Sequence, residues 1–153
     1  MAKRLRLILV DEKKTKKIHS LQFYFREHNM ATIQWLAVGS GAAIGAWARW
    51  GLSTAFNASI LPLGTLIANL IGGFLMGIAM AYFMNASDES ALRLFVITVF
   101  LGGLTTFSAF SAEAFNMLQK QEYTWAVMHI SSHVLGGLLM TTMGFTLVQY
   151  FKN

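Results

Sequence analysis

Long apolar stretches separated by short polar segments make up the chain after residue 30. The second and fourth stretches contain no Lys, Arg, Asp or Glu, and the first carries its one charge, Arg49, at its end. A helix needs roughly 20 apolar residues to cross a bilayer, and each stretch is about that long. The pattern predicts an all-α membrane protein with four transmembrane helices, at 33–50, 63–84, 92–118 and 123–151.

Three short links join the predicted helices. Residues 51–62 contain turn-forming Gly, Asn, Ser and Pro, whereas 85–91 and 119–122 are mainly polar. Such residues are typical of turns and loops, so we expect the helices to be interrupted at all three places.

The composition agrees with a membrane protein and excludes several other classes. Of the 153 residues, 55% are hydrophobic and 12% are charged, whereas an ordinary soluble domain carries about 25% charged residues. The absence of Cys excludes a disulfide-stapled scaffold and a Cys-ligated zinc or iron–sulfur module, and the high apolar content excludes disorder. The length suits a single domain.

The net charge of +5 belongs to an N-terminal segment, 1–29, which we separate from a transmembrane domain at 30–153. Eight of the 12 Lys and Arg residues and three of the seven acids lie in this segment, so the rest is neutral. The core therefore offers no basic patch for a nucleic acid, and the segment lacks the apolar run of a signal peptide. Two interpretations stay open: a basic arm on anionic lipid, or a true start at Met30 with 1–29 foreign to the native protein.

The few cations of the core are balanced across the membrane. With four helices, Arg93 and Lys152 lie on the side of Met30, and Arg49 and Lys120 lie on the opposite side. The positive-inside rule therefore gives no preferred orientation. This balance predicts dual topology, in which copies insert both ways.

Two Gly-xxx-Gly pairs allow helix backbones to approach closely in lipid: Gly41/Gly45 in the first predicted helix and Gly73/Gly77 in the second. They serve either packing within one bundle or assembly of several chains. We favour an oligomer, because a single four-helix bundle leaves no room for a pathway.

The third predicted helix contains the sequence GGLTTFSAFS at 102–111. Two adjacent glycines weaken a helix by about 1 kcal/mol each relative to Ala, and Thr105 and Thr106 offer side-chain oxygens that cap a restarted helix. We expect the third helix to be broken near 102–106, which a bilayer tolerates only in a buried or cavity-lining backbone. Freed carbonyls of such a break can coordinate a small cation. The alternative is a packing notch in an intact helix.

Phe107, Phe110 and Ser111 share one face of the half-helix that follows. The edge of an aromatic ring is positive, so rings pointed at a path can favour a small anion. The commoner role of two such rings is packing or contact with lipid.

Asn69 is the one amide inside the second predicted helix. An unpaired amide in hydrocarbon costs several kcal/mol, so it must have a partner. Its NH₂ group has two donors for an anion, and a hydrogen bond to a neighbouring helix is the alternative.

His129 and His133 share a face of the fourth predicted helix, and Thr141 follows eight residues later. Two His four residues apart can bind a metal, but no carboxylate or Cys accompanies them in that helix. Polar lining or interhelical hydrogen bonding is therefore favoured. Arg49 and Glu113 lie toward one membrane side, at the mouth of a pathway or simply reaching the interface. No enzyme constellation is present, so we expect no catalytic residues.

Together these motifs resemble one known family. The core, over about 31–151, is similar to single-repeat Fluc/CrcB fluoride channels in three sequences, taken in order and at similar spacing. They are Gly41-x-x-x-Gly45-x-x-x-Arg49-Trp50, GTLIANLIG at 64–72, and GGLTTFSAFS at 102–111. The third is specific to the family, whereas the first two alone are weak signals.

The resemblance implies an antiparallel, dual-topology homodimer with two anion pores, a multi-pass protein of a prokaryotic inner (plasma) membrane. It assigns Phe107 and Phe110 to an aromatic box and Asn69 to the pore wall. It assigns the carbonyls of Gly102 and Thr105 to a structural Na⁺ on the dimer axis. It further implies a polar track along the pore, formed by Ser108, Ser111, His133 and Thr141. It places Arg49 and Glu113 in a vestibule. Ala109 and Gly137 depart from the hydroxyl residues common in the family.

The implied function is passive export of fluoride through the lipid bilayer, and not an enzymatic reaction. Fluoride is small and strongly hydrated, so its path must replace water with amide, hydroxyl and ring-edge donors. The field of a central Na⁺ would offset part of the cost of an anion in low dielectric. The alternative is a small multidrug-type proton-coupled antiporter, which needs an intramembrane acid. The first predicted helix has none, and Glu113 lies near a helix end.

Overall fold

The computed structural model describes residues 2–58, 60–84 and 91–152, and every regular element in these ranges is helical. The all-α class predicted from the sequence is therefore confirmed. In chain order the elements are α1 (Ala2–Phe56), α2 (Leu63–Tyr82), α3 (Ala91–Arg93), a π-helical segment (Leu94–Leu101), α4 (Gly102–Leu104), α5 (Phe107–Gln119) and α6 (Tyr123–Lys152).

The chain divides into two compact units, Met1–Leu36 and Ala37–Asn153. The first is helical over its described residues, and most side chains of 1–29 lie outside the described part of the chain. Both interpretations of the basic N-terminal segment therefore stay predictions, as does its boundary at residue 30. The second unit contains all the site residues predicted from the sequence.

Three helices in the described ranges are long and apolar enough to cross a membrane: Leu63–Tyr82, Phe95–Gln119 and Tyr123–Lys152. They correspond to the second, third and fourth predicted spans and make the chain a multi-pass membrane protein. The first predicted span lies within α1, where Gln34 and Arg49 lower the mean hydropathy. The count of four transmembrane helices therefore stays a prediction.

The links agree with the sequence in one place and differ in another. The turn predicted at 119–122 is confirmed, with Gln121 at φ 60°. The interruption predicted at 51–62 begins later than expected, because α1 continues to Phe56. The segment 51–56 contains one glycine and no proline, so nothing in it ends the helix. Of the third link, residues 85–90 lie outside the described residues.

Glycines let α2 and α6 pack closely. A Cβ atom on Gly77 would clash with the carbonyl oxygen of Thr141, and one on Gly144 would clash with that of Phe74. A Cβ atom on Gly73 would lie 3.1 Å from a backbone carbonyl oxygen of α6. The second predicted glycine pair therefore packs within the chain.

The first glycine pair also packs within the chain, against the third span. A Cβ atom on Gly41 would lie 3.2 Å from the ring of Phe95, and one on Gly45 would clash with the carbonyl oxygen of Phe100. Packing inside one bundle, the alternative to the favoured oligomer contact, is thus what both pairs do. The glycine pairs therefore give no support to the predicted dimer, which has to be argued from other features.

The third span is irregular at two places. Its first part is π-helical over Leu94–Leu101, a feature for which the sequence carries no signal. Its backbone is then extended at Thr105 (φ −85°, ψ 156°) and Thr106 (φ −151°, ψ 117°) before α5 begins. The break predicted near 102–106 is therefore confirmed, and the alternative of an intact helix with a glycine notch is wrong.

Candidate functional site

Asn69 pairs with the backbone of the break. The amide N–H of Thr106 donates to Asn69 Oδ1 at 2.8 Å, and Asn69 Nδ2 donates to the carbonyl oxygen of Thr106 at 3.3 Å. This uses the oxygen and one of the two N–H donors of the Asn69 amide. The alternative of a bond to a neighbouring helix is therefore observed, and any anion would meet only the remaining donor.

Side chains complete the helix ends on both sides of the break. Thr106 Oγ1 accepts from the amide N–H of Ala109 at 3.1 Å, which confirms Thr106 as the predicted N-cap of α5. The hydroxyl and the amide N–H of Thr105 both donate to the carbonyl oxygen of Leu101, each at 2.9 Å. Because unpaired helix ends are costly inside a membrane, these threonines make the interruption tolerable.

The break redirects the donors that two carbonyl groups would have in a continuous helix. The Thr106 N–H, which would bond to the Gly102 carbonyl, donates to Asn69 instead. The Ala109 N–H, which would bond to the Thr105 carbonyl, donates to Thr106 Oγ1. Gly102 and Thr105 are the residues that the family resemblance assigns to Na⁺.

Arg49 reaches the same region from α1. Its Nε donates to the carbonyl oxygen of Gly103 at 3.1 Å, and its side chain is half-buried. This bond fixes the third carbonyl near the break. The structure thus places Arg49 on the broken helix, and its role in a vestibule stays a prediction.

A cavity of 270 Å³ opens beside the break. Four residues predicted for the pore line it, and they come from α2, α5 and α6. Its complete lining is Asn69, Thr105, Thr106, Phe107, Phe110, His133 and Val134. The fold therefore brings the predicted aromatic, amide and imidazole groups to one place.

Aromatic rings form a continuous cluster at this cavity. The ring centroids of Phe107 and Phe110 are 5.6 Å apart, and Phe110 lies 4.7 Å from His133 and 5.4 Å from His129. His133 Nδ1 lies 3.0 Å from the carbonyl oxygen of His129. A carbonyl oxygen only accepts, so Nδ1 carries the proton and the Nε2 of a neutral ring has a lone pair.

Glu113 lies between this cluster and a second cavity of 210 Å³, whose lining includes Glu113 and Lys120. The hydroxyl of Thr65 donates to Glu113 Oε1 at 2.6 Å, and Asn57 Nδ2 donates to Thr65 Oγ1 at 3.1 Å. The other carboxylate oxygen, Oε2, lies 3.5 Å from His129 Nε2. Glu113 therefore connects the loop before α2 to the buried histidines of α6.

Sequence reasoning missed Thr65 and Asn57, and the family resemblance assigned His133 but not His129 to the pore. Thr65 precedes Asn69 by four residues, so the two share a face of α2, and that spacing was a usable signal. Asn57 Oδ1 also accepts from the amide N–H groups of Gly64 and Thr65, at 2.7 and 3.2 Å, and caps α2 from a distance. No local sequence pattern predicts these contacts of Asn57.

The other residues predicted for a polar track are more scattered. Ser108 is exposed, with its Oγ 3.1 Å from Thr106 Oγ1, and Ser111 is half-buried on α5. Thr141 Oγ1 donates to the carbonyl oxygen of Gly137 at 2.9 Å and lies against Gly73. None of the three is among the residues that line the 270 Å³ cavity. The polar track therefore stays a prediction.

Comparison with known proteins places most of the chain in one family. Residues 36–145 match the family model described as "CrcB-like protein, Camphor Resistance (CrcB)". A protein of Acinetobacter baylyi named "Fluoride-specific ion channel FluC" is 46% identical over 120 residues, which cover 77% of this chain and 95% of the relative. Proteins of the same name are 50% identical in Cupriavidus pinatubonensis (75% and 94% covered) and 51% identical in Pseudomonas putida (77% and 95% covered).

Proposed function

This chain belongs to the CrcB family, and from that premise we propose that it is a fluoride-specific ion channel through which F⁻ leaves the cytoplasm passively. The observation that carries the proposal is the cavity beside the break, where Asn69, Phe107, Phe110 and His133 meet. The relatives are named as ion channels, so the chain is not an enzyme.

The cavity suits a small anion for physical reasons. An anion that leaves water needs partners, because an unpaired charge in low dielectric is very costly. The edges of the two phenylalanine rings carry partial positive charge, and the Asn69 amide retains one N–H donor. Phe107 is 79% exposed in the single chain, so its ring is free to meet an ion or a second chain.

The active form in this proposal is an antiparallel, dual-topology homodimer of four-helix chains. The balanced core cations support it, since neither orientation is favoured. The wide exposure of Phe107 supports it as well, because one chain encloses only part of the aromatic cluster. In this assembly the segment 33–50 of α1 is the first transmembrane helix, as predicted from the sequence, and the membrane is a prokaryotic inner membrane.

The carbonyl groups of Gly102 and Thr105 are suited to hold a structural Na⁺ between two such chains. The N–H groups that would bond to these two carbonyls in a continuous helix donate to other acceptors. Hard oxygen ligands suit an alkali cation better than a transition metal. Gly102 is exposed, and a Cβ atom on it would meet nothing within 4 Å, so a second chain has room to approach. When bound, the cation would supply a positive field that offsets part of the cost of an anion nearby.

Fluoride efflux from liposomes tests the proposed function. The purified full chain is reconstituted with a fluoride gradient, and an electrode follows external F⁻ after a K⁺ ionophore is added. We expect rapid F⁻ efflux that needs the ionophore for charge balance, and little efflux with chloride in place of fluoride. Folded protein that releases no fluoride would contradict the proposal. Proton-driven transport of an organic cation, without fluoride efflux, would support the multidrug-type antiporter instead.

A further inference from the structure

We propose that Glu113, His129 and His133 form a binding site for Zn²⁺ and that bound Zn²⁺ slows fluoride flux. The first part stands on geometry alone, and the second rests on the proposed function. The sequence placed two histidines on one helix without a carboxylate, which favoured polar lining. The fold supplies the missing ligand from α5.

The three residues present their ligand atoms to one another. One side-chain ligand atom from each lies within 4.8 Å of the other two. His129 is 2% exposed and His133 is 8% exposed, so the pair is almost fully buried. Among the described residues, Glu113 Oε2, His129 Nε2 and His133 Nε2 are buried and make no hydrogen bond; the first two lie 3.5 Å apart. Buried polar atoms without partners are costly and call for an explanation such as a bound ion.

The remaining polar atoms of these side chains are already oriented for metal binding. His133 donates its Nδ1 proton to the carbonyl oxygen of His129, which leaves the Nε2 lone pair available. Glu113 Oε1 accepts from Thr65, which leaves Oε2 available. Metal-binding histidines and carboxylates are typically held by such outer hydrogen bonds.

The ligand set indicates which metal fits. Two imidazoles and one carboxylate, with a fourth position for water or an anion, are a common Zn²⁺ arrangement. Nitrogen ligands of this kind disfavour Ca²⁺ and Mg²⁺, which prefer oxygen. Zn²⁺ bonds of about 2.0–2.1 Å put tetrahedral ligand atoms about 3.4 Å apart. The present spread of up to 4.8 Å requires side-chain movements of roughly an ångström.

The position of the site explains the effect on flux. His133 lines the 270 Å³ cavity, and both imidazole rings pack on Phe110. Glu113 lines the neighbouring 210 Å³ cavity, which gives a path for entry. A bound Zn²⁺ would immobilise His133 at the cavity wall and hold an entering anion at its fourth position. We therefore expect occupancy of the site to slow the passage of F⁻.

The binding test uses the purified full chain in detergent, titrated with ZnCl₂ by calorimetry and then analysed for metal after gel filtration. We expect about one tightly bound Zn²⁺ per chain. His129→Gln and Glu113→Gln should each weaken Zn²⁺ affinity at least tenfold. The double variant of His19→Gln and His28→Gln removes the other two histidines of the sequence and should bind like the parent. Glu122→Gln, a change of another acid lining the 210 Å³ cavity, is the matched control for Glu113→Gln.

The flux test compares each variant with its own zinc-free rate. Zn²⁺ should slow efflux at least fivefold in the parent and in the double histidine variant, and less than twofold in His129→Gln. Melting curves check that His129→Gln is folded. If it is unfolded, the same flux comparison is made with Glu113→Gln. Equal Zn²⁺ affinity in the parent and both ligand variants would overturn the site. Binding without slowed efflux would overturn the blocking role. Binding is measured without fluoride, so a parent that conducts no fluoride counts against the proposed function alone.

Discussion

At the scale of single residues, the proposed role of the two cavity phenylalanines is to turn polarised ring edges toward the anion. Phe107 is mostly exposed in the single chain, and its partner Phe110 carries the contacts to the histidines. We expect Phe107→Ile and Phe110→Ile to reduce fluoride flux at least tenfold, because isoleucine keeps apolar bulk and lacks a polarised ring edge.

Liposome efflux measures this loss, and melting curves show whether the fold survives. Phe115→Ile, on an exposed position of the same α5, is the control and should conduct like the parent. If both cavity variants conduct normally, the rings serve only packing.

Asn69 has a structural role beside any role toward an ion. Asn69→Ala leaves the amide N–H of Thr106 without its acceptor, and an unsatisfied donor of this kind costs about 1–3 kcal/mol. We expect lower thermal stability in detergent together with reduced flux. Asn116→Ala, at an exposed asparagine of α5, should change neither. If Asn69→Ala is as stable as the parent and loses only its flux, the amide matters through contact with the ion and not through its bond to Thr106.

At the scale of elements, the broken third span depends on Thr106. Thr106→Val keeps the shape of the side chain but removes the cap of α5, and loss of a cap costs about 0.5–2 kcal/mol. Thr106→Ser keeps the oxygen and should be close to the parent. Differential scanning calorimetry of both variants and the parent tests this prediction. Equal melting temperatures for all three would contradict a stabilising role of the Thr106 cap.

Some elements of this fold are encoded locally and others are not. Unbroken apolar runs predict the spans of α2 and α6, and two glycines followed by two threonines predict the break. The π-helical stretch at Leu94–Leu101 consists of apolar residues and Thr98, and it shares a hydrophobic cluster with residues of α1 and α2. No local pattern in it therefore predicts the π-helical backbone. Glu113 meets Thr65 of α2 and, across the turn at Gln121, His129 of α6. Spacing along one helix could not predict contacts across that turn.

At the scale of the whole molecule, Gly102 offers a test of the proposed dimer, because its surroundings within its own chain are open. A Cβ atom on Gly102 meets nothing within 4 Å in its own chain, whereas one on Gly103 would lie 2.9 Å from the carbonyl oxygen of Ala42. We expect Gly102→Val to weaken the dimer and the flux, because only a second chain would crowd it. Gly103→Val should instead destabilise the single chain.

Light scattering in detergent reports the dimer, and melting curves report the chain. Gly51→Val, at an exposed helical glycine with equally open surroundings, is the control for helix propensity. A Gly102→Val protein that stays dimeric and conducts fully would count against the proposed axis and its Na⁺.

The interruption at Thr105 and Thr106 also has an electrical consequence. A helix carries about half a positive charge at its N-terminus and half a negative charge at its C-terminus, and the break exposes one end of each kind within a single span. The amino end of α5 lies at the cavity that Thr106 and Phe107 line, and the carboxyl end of α4 lies beside the Gly102 carbonyl. The cavity lining contains no Lys or Arg. One interrupted helix thus presents opposite partial charges at its two inner ends, a positive one toward the proposed anion and a negative one toward the proposed cation.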